Sequence, residues 1–448
     1  MVTLEKLAWV IKHGERALRP SRRSGPANLL MRFKAAEVVY EPLGVVAALV
    51  SWNYPFHNMV GPIIAALFTG NAIVVKCSEN VVWSSRQYLE IVRSALRACG
   101  APPDLVQLVC CWPEDADHVS AHPGLAHLTF IGSKPVAHRV LAAAARSLTP
   151  VVVELGGKDA VVVLDEHRPA WTERSAGDLA AMLMRGSFQS SGQNCIGIER
   201  IVAEPAAYGA LVAVFEKLVP QLRVGSPVDG DVDMGAMISD ARFAALEALI
   251  ADAVAGGARL LAGGRRYAHP RYPFGAFFEP TLLVDVTPAM RIANEELFAP
   301  VMVVMRARDT TDAIAIANST GYGLGGAVFG SGRRSPAIDR VVRELRTGNV
   351  AVNDFATFYV CQLPFGGVRE SGYGKFSGEE GLVGLCNAKS VCYDKYPLVH
   401  TSLPATIRYP LPSVNKALTL ITAMNTAGYA SSLWEFVVNL GTLAANAQ

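Results

Sequence analysis

Val45-Val46-Ala47-Ala48-Leu49-Val50-Ser51-Trp52 is an unbroken apolar run that reaches a polar break at Asn53. An apolar stretch from Met59 to Phe68 follows, then Gly70-Asn71, then a second short run, Ala72-Ile73-Val74-Val75-Lys76. Short apolar runs bounded by turn residues read as strands covered on both faces, and the longer stretch between them reads as a helix closed by its glycine. The pattern repeats downstream. Trp83 to Cys99 puts Leu89, Val92, Leu96 and Cys99 on one helical face and stops at Gly100, while Leu105 to Cys111 and Leu125 to Ile131 read as further strands around a helical stretch. Strands alternating with helices predict a doubly wound parallel sheet. Such sheets bind ligands beyond the carboxyl ends of their strands. Asn53, Lys76, Glu79 and Ser133 all fall at or just past such ends.

A second α/β region is expected over 157–386, with a helix from Arg242 to Val254. Its pairs Gly256-Gly257 and Gly263-Gly264 read as turns, because that loop contains neither GxGxxG nor GxxxxGK[ST]. Residues 22–42 and 387–396 have β character and read as a small bridging element. Residues 43–156 form the first sheet domain, 1–21 a basic N-terminal arm and 397–448 a C-terminal extension.

Composition limits the possibilities. The chain has 448 residues, 51% of them hydrophobic, and a formal net charge of +2. That suits packed domains and gives no basic excess for nucleic acid. Its eight cysteines lack CxxC pairing, which favours free thiols in a reducing compartment. Cys110 and Cys111 are expected on a strand, facing opposite ways. No apolar run is long enough to span a bilayer. Lys12, Arg16, Arg19, Arg22, Arg23, Arg32 and Lys34 stand against Glu15, which reads as a solvated arm or as a basic segment near an anionic membrane. The apolar tail from Ala417 to Leu440 is expected to dock on the protein's own surface, on a partner or at a membrane surface. His118 and His122 are four apart, but they lack the HExxH glutamate and precede Pro123, so no metal site is expected.

Two stretches carry chemistry. Val153-Glu154-Leu155-Gly156-Gly157-Lys158 sets a carboxylate beside a glycine turn, and Phe188-Gln189-Ser190-Ser191-Gly192-Gln193-Asn194-Cys195 ends a small-residue loop on a thiol. A thiol that attacks carbonyls must be exposed by a turn, and a carboxylate at the end of an apolar strand acquires the raised pKa of a general base. In this order the two stretches resemble the aldehyde dehydrogenase superfamily. So do Trp52-Asn53-Tyr54-Pro55-Phe56, Lys76-Cys77-Ser78-Glu79, Phe130-Ile131-Gly132-Ser133, Glu295-Glu296-Leu297-Phe298-Ala299-Pro300 and Pro364-Phe365-Gly366-Gly367.

The resemblance, from about Arg22 to about Tyr396, implies NAD-dependent oxidation of an aldehyde through a cysteine thiohemiacetal and a thioester. Cys195 would be the nucleophile, Glu154 the base for the hydrolytic water, and Asn53 with the Cys195 N–H the oxyanion donors. Trp52, Lys76, Glu79, Gly132, Ser133, Glu296 and Phe298 would hold the cofactor. A Glu79 carboxylate on the ribose disfavours a 2′-phosphate, so NAD is expected over NADP. Glu154 disfavours acyl transfer to coenzyme A. Tyr54, Met184, Phe188 and Tyr359 would line the substrate channel, leaning toward hydrophobic aldehydes. Homo-oligomers and an intracellular site, cytoplasmic or on the cytosolic face of a membrane, follow from the same resemblance.

Three departures stand out: Cys77 where proline is common, Ala299 where glycine is usual, and a Trp52 that comes early, because the family carries a further helical layer ahead of it. The chain would be an incomplete product or a trimmed branch. The alternative function is a catalytically impaired, aldehyde-dehydrogenase-like scaffold or binding protein at a membrane surface.

Overall fold

The computed structural model describes residues 1–167 and 171–446, so 168–170 of the region read as catalytic and 447–448 of the tail lie outside the described residues. The chain forms two compact units, one of residues 1–14 and 43–385, the other of 15–42 and 386–448.

The first unit contains both large sheets. One runs in the order Gly372–Tyr373, Val151–Glu154, His127–Ile131, Val45–Leu49, Ala72–Lys76, Val106–Val109, parallel throughout except for the two-residue edge strand. From Val45–Leu49 the chain steps outward through two strands, then returns to the other side at His127. Strand order therefore reverses at the carboxyl end of Val45–Leu49, where loops diverge and leave a crevice. Asn53 lies just past that end. Val106–Val109 stops short of Cys110, so the two adjacent cysteines follow the strand instead of sitting on it.

The second sheet has seven strands in the order Arg259–Ala262, Thr281–Val284, Val301–Arg306, Arg200–Ala203, Ala160–Val163, Gly325–Phe329, Asn349–Val352, with only the first antiparallel to its neighbour. Alternate side chains enter separate cores. Val162, Val202, Val303 and Val328 pack with the helix Phe243–Ala255, whereas Val161, Ile201, Val304 and Phe329 pack with the helices Glu173–Phe188 and Pro205–Leu218. The α/β class with parallel sheets is as expected.

The basic segment read as an arm over 1–21 is a helix over Val2–Ala17. Trp9 and Val10 are buried, and Lys6 is buried with them. An apolar face hidden among the charges, not the charges themselves, decides the fold here. Burial lowers the Lys6 pKa from 10.5 to about 8.

In the second unit, Lys34–Pro42 pairs antiparallel with Cys386–Asp394 along nine residues, and Ser21–Arg23 adds a third strand. The tail forms the helices Val414–Gly428 and Leu433–Asn446. Ala417, Leu420, Ala423 and Ala427 of the first are buried, and a Cβ on Gly428 would meet the Asn28 side chain at 2.2 Å. Within this unit the tail therefore docks on its own chain. Among the described residues, no helix is long and apolar enough to cross a membrane.

Lys6→Met should raise the thermal midpoint at pH 7 by roughly 3 °C. The folded state holds the lysine charge at a cost that is full below pH 8 and disappears as pH rises toward 10.5. The gain measured by calorimetry should shrink between those two pH values. A variant less stable than wild type at pH 7 would show that the ammonium is satisfied where it sits.

Candidate active site

The loop before Cys195 takes an unusual path. Ser190, Ser191 and Gly192 follow one another with positive φ of 56°, 55° and 71°. At Gly192 no side chain fits, because a Cβ would lie 2.0 Å from the Ala299 carbonyl oxygen. Gln193 clamps the turn by donating from Nε2 to the Ser190 carbonyl at 2.9 Å and accepting the Ile238 N–H at 2.8 Å. Ser191 Oγ donates to the Gly235 carbonyl at 2.8 Å. These ties offset the strain of two non-glycine residues in the left-handed region.

The Asn53 amide meets this loop. Its Oδ1 accepts from Ser51 Oγ at 2.8 Å and from Asn58 Nδ2 at 3.2 Å, which fixes the orientation of the amino group. One Nδ2 proton goes to the Gln193 carbonyl at 3.2 Å. The other is free to donate. Among the described residues no acceptor takes the Cys195 N–H. Two donors thus flank the thiol.

Glu154 ends its strand 2% exposed, with Oε1 buried and without a partner. Desolvation raises its pKa to about 7, against the lowering effect of hydrogen bonds from Cys195 and the Gly156 backbone. Cys195 is pushed well above the usual thiol range by burial and then by Glu154, with Asp159 and Glu296 adding to the effect. The arrangement holds a proton between sulfur and carboxylate, beside a buried acceptor oxygen that a water could use.

Asn53, Glu154 and Cys195 line one cavity of about 570 Å³. Tyr54 also lines it. Met184 and Phe188 do not, because they point into the core beside Val161 and Ile201. Arg185 and Gln189, one residue further round the same helix end, face the cavity instead. Tyr359 lies outside the lining and hydrogen-bonds Asp354.

The residues expected to hold a cofactor lie outside the lining of this cavity. Lys76 Nζ reaches Glu79 Oε2 at 3.3 Å just past the strand Ala72–Lys76. Trp52 and Phe298 meet edge to face, with centroids 5.8 Å apart. Ser133 precedes the helix Lys134–Ala144 with its hydroxyl uncommitted to capping, so that hydroxyl is available to an anion at a helix N-terminus. The Gly132 N–H donates to the Glu154 carbonyl at 3.0 Å and is not free for a ligand. Glu296 folds over the glycine turn, where Oε1 accepts the Gly157 N–H at 2.9 Å, and burial lifts its pKa to about 8. Cys77 is buried with Sγ 3.5 Å from that of Cys110. The Ala299 methyl belongs to the core beside Leu297 and Val301. Among the described residues no group of acidic, histidine and cysteine side chains could hold a metal ion.

Sequence reading passed over the support behind these groups. Lys158 Nζ donates to Glu199 Oε2 at 2.8 Å, with side chains 0% and 7% exposed. Glu199 Oε1 accepts the Leu297 and Phe298 N–H groups at 3.1 and 3.0 Å. Arg200 caps the carbonyls of Lys158, Ile316 and Ala317. The signal was available as the charge pairs Lys158-Asp159 and Glu199-Arg200, each set directly ahead of an apolar strand.

A crevice at the strand-order reversal holds a thiol on a strained loop beside a buried carboxylate, the setting of an enzyme that works through a cysteine. The chain belongs to the aldehyde dehydrogenase family, whose profile matches residues 3–391. It is 56% identical to an aldehyde dehydrogenase-like protein of Saccharomyces cerevisiae, over 100% of this chain and 70% of that protein. It is 35% identical to an NADP⁺ succinate-semialdehyde dehydrogenase of Deinococcus radiodurans, over 80% of this chain and 71% of that one. The solved structure of a Mycobacterium tuberculosis aldehyde dehydrogenase complexed with NAD⁺ is 30% identical, covers 90% of this chain and 78% of its own, and superposes with a TM-score of 0.78.

Glu154 should titrate near pH 7 in the resting protein. Infrared difference spectra against Glu154→Gln should contain a protonated carboxyl band that disappears as pH rises through that value. A band absent already at pH 5.5 would show that burial does not control this group.

Proposed function

We propose that the chain oxidises an aldehyde to its carboxylic acid with Cys195 as nucleophile, Glu154 as general base and Asn53 with the Cys195 N–H as oxyanion donors. The observation that carries this reading is the convergence of Cys195, the partnerless Glu154 Oε1 and the Asn53 amino group on one cavity. As the Cys195 sulfur adds to the carbonyl carbon, its proton passes to Glu154, and charge developing on the carbonyl oxygen meets the two donors. Before hydrolysis Glu154 must give that proton up to solvent. The ionised carboxylate then takes a proton from the water that attacks the thioester and passes it to the departing sulfur, so that Cys195 leaves as the thiol.

The cofactor we propose is NAD, which when bound supplies the hydride acceptor. Lys76 and Glu79 would take the adenosine ribose, Ser133 the pyrophosphate, and Trp52, Glu296 and Phe298 the nicotinamide side. Gly132 would serve by leaving room, not by donating. The donor chemistry fits such a ligand: a carboxylate and an ammonium meet past one strand end, and a free hydroxyl stands at a helix N-terminus. The relatives named above include one NADP⁺ and one NAD⁺ protein, so Glu79 is the discriminating residue for this chain. For the aldehyde, the walls Phe56, Ile196, Phe358 and Leu363 suit an apolar body.

The divisions 43–156 and 157–386 are proposed as cofactor and catalytic domains. Residues 22–42 with 387–396 are proposed as an oligomerisation edge. Exposed Leu433, Trp434 and Val437 make the last helix a proposed contact for a second copy or a membrane surface. An intracellular location suits an enzyme whose Cys195 must stay reduced.

Cys195→Ser should lower aldehyde-dependent reduction of NAD by at least about a hundredfold while cofactor still quenches tryptophan fluorescence. Activity above a tenth of wild type would remove Cys195 from the mechanism. Glu79→Gln should raise the NADP/NAD ratio of kcat/KM by about tenfold. A wild type that already prefers NADP would overturn the cofactor assignment.

A further inference from the structure

The cavity contains a cation for which the oxidation has no use. Arg185 sits on the helix Glu173–Phe188, one residue past Met184, and that single step turns it from the core to the cavity wall. Its Nε donates to Gln189 Oε1 at 3.2 Å, which aligns the guanidinium and leaves both Nη groups uncommitted. Among the described residues no carboxylate pairs with it. Beside it, Ser190 Oγ donates to Tyr54 Oη at 3.2 Å, so a small polar patch interrupts apolar walls.

The other titratable groups around the cavity do not satisfy this charge. Burial depresses the His57 pKa to about 4, so the ring is neutral at pH 7, and the Lys6 charge near it lowers it further. Glu154 is committed to Cys195. Among the described residues Arg185, which is exposed to solvent, is the only arginine or lysine side chain lining the cavity, and the N-terminal residue Met1 lines it as well.

From this arrangement we infer that the aldehyde carries a carboxylate at its far end and that Arg185 is the specificity-determining residue that receives it. The inference rests on the reading of Cys195 as nucleophile, since that fixes which end of the substrate is the aldehyde. A guanidinium with two free Nη groups presents a planar fork that matches a carboxylate. A plain alkyl tail would cover the same guanidinium without pairing it, and a desolvated, unpaired charge is costly. The site would thus select the acid-bearing aldehyde by attraction and disfavour the alkyl one by desolvation. The apolar walls remain suited to the methylene groups between the two ends.

The test compares succinic and adipic semialdehydes with butanal and hexanal in the full-length chain with NAD. The expected result is a kcat/KM for the semialdehydes at least about tenfold above that of the matched alkyl aldehyde, expressed mainly in KM. Arg185→Met should collapse that ratio toward one, and Arg185→Lys should retain part of it. Equal or better use of the alkyl aldehydes would overturn the inference, while their oxidation would leave the dehydrogenase reading standing. Glyceraldehyde 3-phosphate as a further probe decides the anion: preference for it over both semialdehydes rejects a carboxylate tail. A second measurement needs no turnover. Glutarate should slow alkylation of Cys195 by iodoacetamide at about tenfold lower concentration than pentanamide does, and Arg185→Met should erase the difference. Equal protection by the two in the wild type would reject the inference even if no aldehyde were oxidised.

Discussion

The site depends on one buried ion pair. Lys158 lies four residues past Glu154, and Glu199 lies four past Cys195, so their 2.8 Å contact ties the base-bearing strand to the thiol-bearing loop. The same glutamate holds the backbone of Leu297 and Phe298, bringing in a third segment a hundred residues away. Removing one partner of such a pair leaves an uncompensated buried charge, at about 3–5 kcal/mol. Replacing both by apolar residues would recover that energy but not the directed bonds to the Phe298 loop. The pair is better understood as fixing relative position than as supplying stability. Phe298 shows why position needs fixing, since its φ of 50° is a conformation that a bulky residue does not hold unaided.

Around this tie the chemistry is prearranged by small, local devices. The Asn53 amide is oriented by two donors on its oxygen before any substrate arrives. The left-handed run at Ser190–Gly192 turns the chain so that Gln193 offers its carbonyl to Asn53 and its side chain to Ile238. Such preorganisation matters because donors that need not reorient in the transition state lower the barrier most. It also accounts for glycine at 192, where backbone from the Ala299 segment passes closer than any side chain allows.

Much of this was legible in the sequence, and the failures have a common cause. The strands, their order along the chain and the Glu154 and Cys195 stretches could be read because each is a local pattern of period, turn and reactive group. Met184 and Phe188 were read as channel residues from apolar character alone. Their four-residue spacing places both on the core face, and the cavity goes to Arg185 and Gln189. Helical phase relative to a neighbouring sheet is tertiary information. The N-terminal helix was obscured in the same way, because the basic residues along it are more conspicuous than the buried Trp9 and Val10. The partners of Glu296 and Gly132, the Gly157 N–H and the Glu154 carbonyl, were likewise not foreseen. Backbone hydrogen-bond partners cannot be counted from residue types.

The resting site also limits itself. A thiol next to a carboxylate is a poor thiolate, and a carboxyl lifted to about 7 is only half a base at neutral pH. Burial and then Glu154 push the thiol up, whereas Glu154 itself is lifted by burial against the lowering effect of its bond from Cys195. Three carboxyl groups, Glu154, Asp159 and Glu296, surround the sulfur's environment, and all are raised by burial. In this setting an added positive charge would favour thiolate and ionised carboxylates together, because it offsets the cost of burial that chiefly keeps protons on them. Lys158 cannot supply that charge, since its ammonium is spent on Glu199. Arg185, on the cavity wall and bonded to Gln189, is not among the groups that act on the Cys195 thiol. A cationic group arriving on the side of Trp52 and Phe298 would therefore raise the thiolate fraction of Cys195 above that of the resting site.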